Sequence, residues 1–107
     1  MDISYRVTPP QRSAGMISVH VNTRIPAFSR TFQDGGCTIG EDKLLTPVSY
    51  VVHTHALGEV VTLWRVRRDR YGRGEDQWSL IGRRSPTEPQ SFYPVEDPEM
   101  TLQYGDR

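Results

Sequence analysis

Two histidines one residue apart, His53 and His55, are the residues best placed to do chemistry. They lie in the run Tyr50-Val51-Val52-His53-Thr54-His55-Ala56-Leu57-Gly58. Side chains of an extended strand alternate between its faces, so the two imidazoles point the same way. Their Cα atoms should lie about 6.5 Å apart, twice the rise per residue of a strand. That spacing lets both rings lean onto one metal ion, and imidazole serves zinc and copper alike. Two ligands are too few for a stable site. His20, Met16, Met100, Cys37 and Glu59 are the in-chain candidates for a third, and no spacing singles one out. A thioether ligand would favour copper, because soft sulfur suits Cu(I).

The elements that must position this pair read as strands. The run from about Val48 to Leu57 is expected to be a central strand with two largely apolar faces. Gly58 follows as a bend or bulge. Met16 to Thr23 alternates Ile17, Val19 and Val21 with Ser18, His20 and Asn22, as a half-buried strand does. Gly35-Gly36-Cys37 signals a turn or bulge. Glu59 to Arg67 and Gln77 to Gly82 form a hairpin around the charged loop Arg68 to Asp76. In the first hairpin strand, Val60, Thr62, Trp64 and Val66 are expected inside, and Trp64 and Trp78 are expected in the core. Ser91–Glu96 and Met100–Tyr104 supply two more short strands. There is no amphipathic helix, heptad pattern or internal repeat. The sum is an all-β chain, an antiparallel sandwich or jelly roll. About six strands, ending at the turn Gly105-Asp106, look truncated.

Composition sets the outer limits. A chain of 107 residues is one small domain, and 36% hydrophobic residues is a thin supply for a core. The formal net charge of zero gives no general pull toward nucleic acid or membranes. No stretch approaches the ~20 apolar residues of a membrane span. The first six residues lack the apolar core of a signal peptide. Arg65, Arg67, Arg68, Arg70, Arg73, Arg83 and Arg84 gather on the hairpin, but Asp69, Glu75 and Asp76 dilute their field, so a solvated tip is favoured over an anion or nucleic-acid patch. Cys37 has no basic neighbour to activate it as a nucleophile. It is either a free thiol or a half-cystine. No Ser-His-Asp or phosphate-loop pattern occurs.

Several blocks in order carry a resemblance. They are Val52-His53-Thr54-His55-Ala56-Leu57-Gly58-Glu59-Val60-Val61, then Trp64-Arg65-Val66-Arg67, then Gln77-Trp78-Ser79-Leu80-Ile81-Gly82-Arg83. Pro89-Gln90-Ser91-Phe92-Tyr93-Pro94-Val95-Glu96 and Tyr104-Gly105-Asp106 complete the series. Together they resemble the copper type II, ascorbate-dependent monooxygenases, in the branch that hydroxylates peptidylglycines. The match is to the second catalytic domain, and is strongest over residues 48–106. The whole chain, 1–107, then corresponds to the N-terminal portion of that domain. Dopamine beta-monooxygenase shares the His-Thr-His motif but much less of the rest.

The resemblance implies a jelly roll in which His53 and His55 are two ligands of the oxygen-binding copper. The third would be a methionine downstream of residue 107, and a second copper would belong to another domain. Ascorbate would supply electrons and O₂ the oxygen atom. The substrate would be a glycine-extended peptide, hydroxylated at the alpha carbon of its C-terminal glycine, in the secretory pathway. Cys37 would pair with a cysteine outside the chain. Nucleic acid is not an expected partner. One departure bears on substrate: Val51 stands where the family carries an arginine that holds the peptide carboxylate. Ala56 replaces a family histidine that is not a ligand, and the hairpin loop is longer than usual. The isolated chain is expected to be inactive. The alternative reading is a non-catalytic metal-binding β-domain that has diverged from the family.

Overall fold

The computed structural model describes residues 2–69 and 71–107. It divides into two compact units, one ending at Gly35 and the other covering Gly36–Arg107. Arg70, one of the hairpin arginines, lies outside the described residues.

Among its described residues the first unit contains no strand or helix, so the strand expected over 16–23 does not form. Its alternation survives locally: Ser18 Oγ lies 2.7 Å from His20 Nε2, on one side of an extended segment. Among the described residues it has no ladder partner, and an unpaired segment leaves its apolar side in water. Ile17, Val19 and Val21 are accordingly exposed. Gly35 makes no turn. It allows close approach instead, because a Cβ there would collide with the Val21 side chain.

The second unit is all-β, with antiparallel pairing throughout. Its strands are β1 (Ser49–Tyr50), β2 (Val61–Arg67), β3 (Gln77–Arg84) and β4 (Tyr93–Pro94). β2 and β3 form the expected hairpin, from Val61 opposite Arg84 to Arg67 opposite Gln77. The register shifts between Leu63 and Trp64, which pair with Gly82 and Leu80 and leave Ile81 as the extra residue of a bulge. β1 and β4 pair Tyr50 with Tyr93, and an isolated bridge joins Leu45 to Leu102.

The core gathers Tyr50, Val52, Ile81, Val95 and Met100, with Val61, Leu63 and Tyr93 packed against it. Met100 is only 2% exposed, so a side chain considered as a metal ligand is a core residue here. Tyr50 crosses directly over Gly82, where any Cβ would overlap its ring, and its hydroxyl donates to the Arg83 carbonyl at 3.4 Å. A glycine inside a strand thus marks a close approach.

The expected faces of β2 are reversed. Val61 and Leu63 turn toward the core, whereas Thr62 and Trp64 are exposed. Trp64 and Trp78 form an edge-to-face pair, with centroids 6.3 Å apart, at 43% and 65% exposure rather than in the core. Alternation alone does not say which side faces inward. The large aromatics point to the wrong side because arginines share the inner one.

Those arginines are Arg65 and Arg67. Arg65 donates to the Thr101 carbonyl at 3.1 Å and to Ser79 Oγ at 2.6 Å. Arg67 grips both oxygens of Asp106, with Nε 2.8 Å from Oδ1 and Nη2 2.7 Å from Oδ2. Asp106 is buried and also accepts from the Gln103 amide at 3.0 Å. Its hydrogen bonds to Arg67 come first among the causes that hold its carboxyl below the ordinary carboxylate range. The same bonds raise Arg67. At the hairpin tip, Asp69 accepts from the amides of Arg73 at 2.6 Å and Gly74 at 2.8 Å, and from Tyr71 at 3.4 Å. These bonds, in that order, lower its pKa. The loop is therefore organised by its own carboxylate.

Candidate metal centre

His53 and His55 follow β1 on a segment that is extended but not ladder-paired. Only Ser49–Tyr50 of the expected ten-residue strand is a strand. The alternation nevertheless holds its faces: Tyr50 and Val52 are buried, and Val51, His53 and His55 are exposed. The expectation of two apolar faces is corrected by this pattern. One face is seated in the core, and the other carries the histidines.

Two features fix the segment at its far end. The Gly58 amide donates to the His55 carbonyl at 2.9 Å, closing a turn over Ala56 and Leu57. Thr54 Oγ1 donates to the same carbonyl at 3.0 Å. Thr54 also packs so tightly on Gly58 that a Cβ there would collide with it. The backbone under His55 is thereby held from both sides.

The imidazole rings stand edge to face, with centroids 5.6 Å apart and planes at 79°. Two rings bound to one ion, with metal–nitrogen distances of ~2.0–2.1 Å, have centroids on the order of 5–6 Å apart at near-tetrahedral angles. The pair fits two legs of such a site. Among the described residues, neither ring has a hydrogen-bond partner, and no group of three or more His, Cys, Asp and Glu side chains is placed to hold an ion. Of the other ligand candidates, Met100 lies in the core, and Cys37 is an exposed free thiol. Met16 and His20 belong to the other unit, and Glu59 begins the approach to β2. Val51 is 44% exposed on the histidine side and brings an aliphatic surface, not a charge, beside the pair.

The family described as the copper type II ascorbate-dependent monooxygenase, C-terminal domain, matches residues 12–107. The chain belongs to this family. It is 40% identical over 99 residues to peptidyl-glycine alpha-amidating monooxygenase A of Xenopus laevis, covering 90% of this chain and 10% of that protein. The mouse peptidyl-glycine alpha-amidating monooxygenase is 38% identical over 101 residues, covering 94% and 10%. The rat enzyme is 50% identical over 58 residues, covering 54% and 5%. The chain therefore spans about a tenth of the length of the first of these relatives. No solved structure gives a significant match.

The structural residue that the sequence reading overlooked is Asp106. Its signal was present in Tyr104-Gly105-Asp106: Gly105 adopts φ 87°, a left-handed conformation that suits glycine, and turns the chain so that Asp106 enters the sheet side. No helix among the described residues is long and apolar enough to cross a membrane.

Proposed function

We propose that this chain is part of a copper- and ascorbate-dependent monooxygenase of the peptidylglycine type, and that His53 and His55 supply two ligands of its oxygen-binding copper. The observation that carries this reading is the ring pair itself: two exposed imidazoles at ligand spacing on a core-anchored segment, in a chain of this family. Copper bound there would supply the one-electron and oxygen chemistry. The chain's own residues do the positioning. Tyr50 and Val52 seat the segment, while Thr54 and Gly58 hold the backbone under His55. The third ligand, the second copper and the disulfide partner of Cys37 belong to the longer protein in this reading, as does the jelly roll that the strands would complete. So does the secretory setting.

The substrate on this reading is a glycine-extended peptide, hydroxylated at the alpha carbon of its terminal glycine, with ascorbate as electron donor. Val51 favours the second reading, a metal-binding domain without this catalysis. A charge-assisted clamp on a carboxylate contributes about 1.5–3 kcal/mol, and an aliphatic side chain provides none. Oxygen consumption separates the two. With copper, ascorbate and a glycine-extended peptide, the longer protein should turn over and the 107-residue chain should not. Amidation by the isolated chain would refute the partial-site reading. A copper-loaded longer protein that is inert toward the peptide would support the second.

A further inference from the structure

Arg65-Val66-Arg67-Arg68 sets arginines at the first, second and fourth positions before the Arg68–Asp69 bond. A serine endoprotease of paired-arginine specificity reads such a run in extended form. Carboxylates of its cleft take the arginine side chains, and main-chain hydrogen bonds take the residue between them. β2 already holds Arg65, Val66 and Arg67 extended, and the exposed Arg68 follows directly. Each of the first three is engaged by one segment near the end of the chain. Arg65 donates to the Thr101 carbonyl at 3.1 Å, and Arg67 donates to the same carbonyl at 3.3 Å and to both oxygens of Asp106. The Val66 amide donates to the Arg107 carbonyl at 2.6 Å, and the Arg107 amide donates to the Val66 carbonyl at 2.9 Å. Residues 101–107 therefore occupy the side chains at the second and fourth positions and both main-chain groups at the third.

We propose that the Arg68–Asp69 bond is a latent processing site for a serine endoprotease of this specificity, and that residues 101–107 are the strap that masks it. The reaction is hydrolysis: water adds across the bond, leaving the Arg68 carboxylate and the Asp69 amine. The strap is fastened from its other side, where the Ile39 amide donates to the Asp106 carbonyl at 2.8 Å and the Gly105 amide donates to the Ile39 carbonyl at 2.9 Å. Asp69 makes its bonds to the Arg73 and Gly74 amides wholly beyond the cut, so they survive it. The ladder from Val61 opposite Arg84 to Arg67 opposite Gln77 still joins the two new chains. The product is a nicked hairpin, not two free pieces. Neither histidine takes part, so the site stands whether or not copper binds.

Limited proteolysis at neutral pH with a subtilisin-type serine endoprotease of paired-arginine specificity tests this, with the cut bonds identified by mass. The second arginine pair of the hairpin, Arg83-Arg84, is an internal control, because among the described residues the strap makes no hydrogen bond to it. The folded protein should resist cleavage after Arg68, whereas the urea-unfolded chain diluted into the assay should be cut there. Asp106→Ala frees Arg67 and should speed that cut about tenfold or more, with a smaller change after Arg84, because cleavage tracks the population of the open form. Arg107→Pro removes the amide that bonds Val66 while leaving the buried Arg67–Asp106 pair in place. It should act in the same direction, and it keeps the test decisive where Asp106→Ala fails to fold. Cleavage after Arg68 as fast in the folded protein as in the unfolded chain would overturn the proposal, since nothing would then be masked. So would equal acceleration after Arg68 and Arg84, which reports general unfolding, or no acceleration in either variant.

Discussion

The His53–His55 segment and strand β2 are neighbours in sequence and alternate in the same way, yet they treat their polar side chains oppositely. On β2, Arg65 and Arg67 direct their donors to the Thr101 carbonyl, Ser79 and Asp106. On the histidine segment, the two rings meet each other and, among the described residues, nothing else that accepts or donates. Both backbones are anchored by the same core. A polar side chain whose donors are directed to partners within the fold serves the fold. One that is held in place but left open is available to a ligand. The comparison separates arginines that the fold itself uses, not the solvated groups expected of a hairpin tip, from a pair of histidines left open.

The largest expected effect lies on the β2 side. Asp106→Ala removes the buried partner of Arg67 and leaves a guanidinium that is 27% exposed facing an apolar side chain. Loss of one member of a buried pair costs about 3 kcal/mol, readable as a lowered denaturant midpoint. The same pair sets an acid limit. The Asp106 pKa is lowered in the folded state, so its contribution is fully present above the ordinary carboxylate value. It falls away as pH drops through the lowered folded value. Asp106→Ala should therefore flatten acid denaturation between the ordinary carboxylate value and the lowered folded one. An unchanged acid limb would mean that Asp106 and Arg67 do not stabilise the fold.

How much of this was legible before the structure follows from the same contrast. The hairpin was, because period-two patterning flanking a glycine-rich loop is a local signal. The closeness of the His53 and His55 rings was, because their spacing is also local. The inward side of β2 was not. Trp64 and Val66 outweigh Arg65 and Arg67 on any hydrophobic count, and only the distant Thr101 and Asp106 reveal that the arginines point inward. The strand at 16–23 was overstated for a related reason. Its alternation is real, but a strand exists only with a ladder partner. Met100 is the reverse case, a plausible soft ligand by type that the fold uses as core.

A smaller effect sharpens the histidine side. Gly58→Ala places a methyl group against Thr54, and overpacking of this kind costs about 1–3 kcal/mol. Because Thr54 and Gly58 both hold the His55 carbonyl, the strain should also reach the ring pair. Gly58→Ala combined with Thr54→Ala removes the collision and should recover most of the stability. If the single substitution is neutral, the turn is not what fixes His55.

The smallest effect on stability is the most telling. His53→Ala and His55→Ala remove exposed rings with no hydrogen bonds to lose, so each should change unfolding free energy by no more than about 0.5 kcal/mol. Neither removal leaves a buried group unpaired, unlike the loss of Asp106. Each should nevertheless abolish the binding of copper whose spectrum carries two imidazole nitrogens, leaving at most one. A site that costs the fold almost nothing to lose, yet takes the metal with it, is what an open and anchored pair predicts. If either substitution destabilised the protein as much as Asp106→Ala, the histidines would belong with the arginines as structural groups, and the division between the two segments would fail.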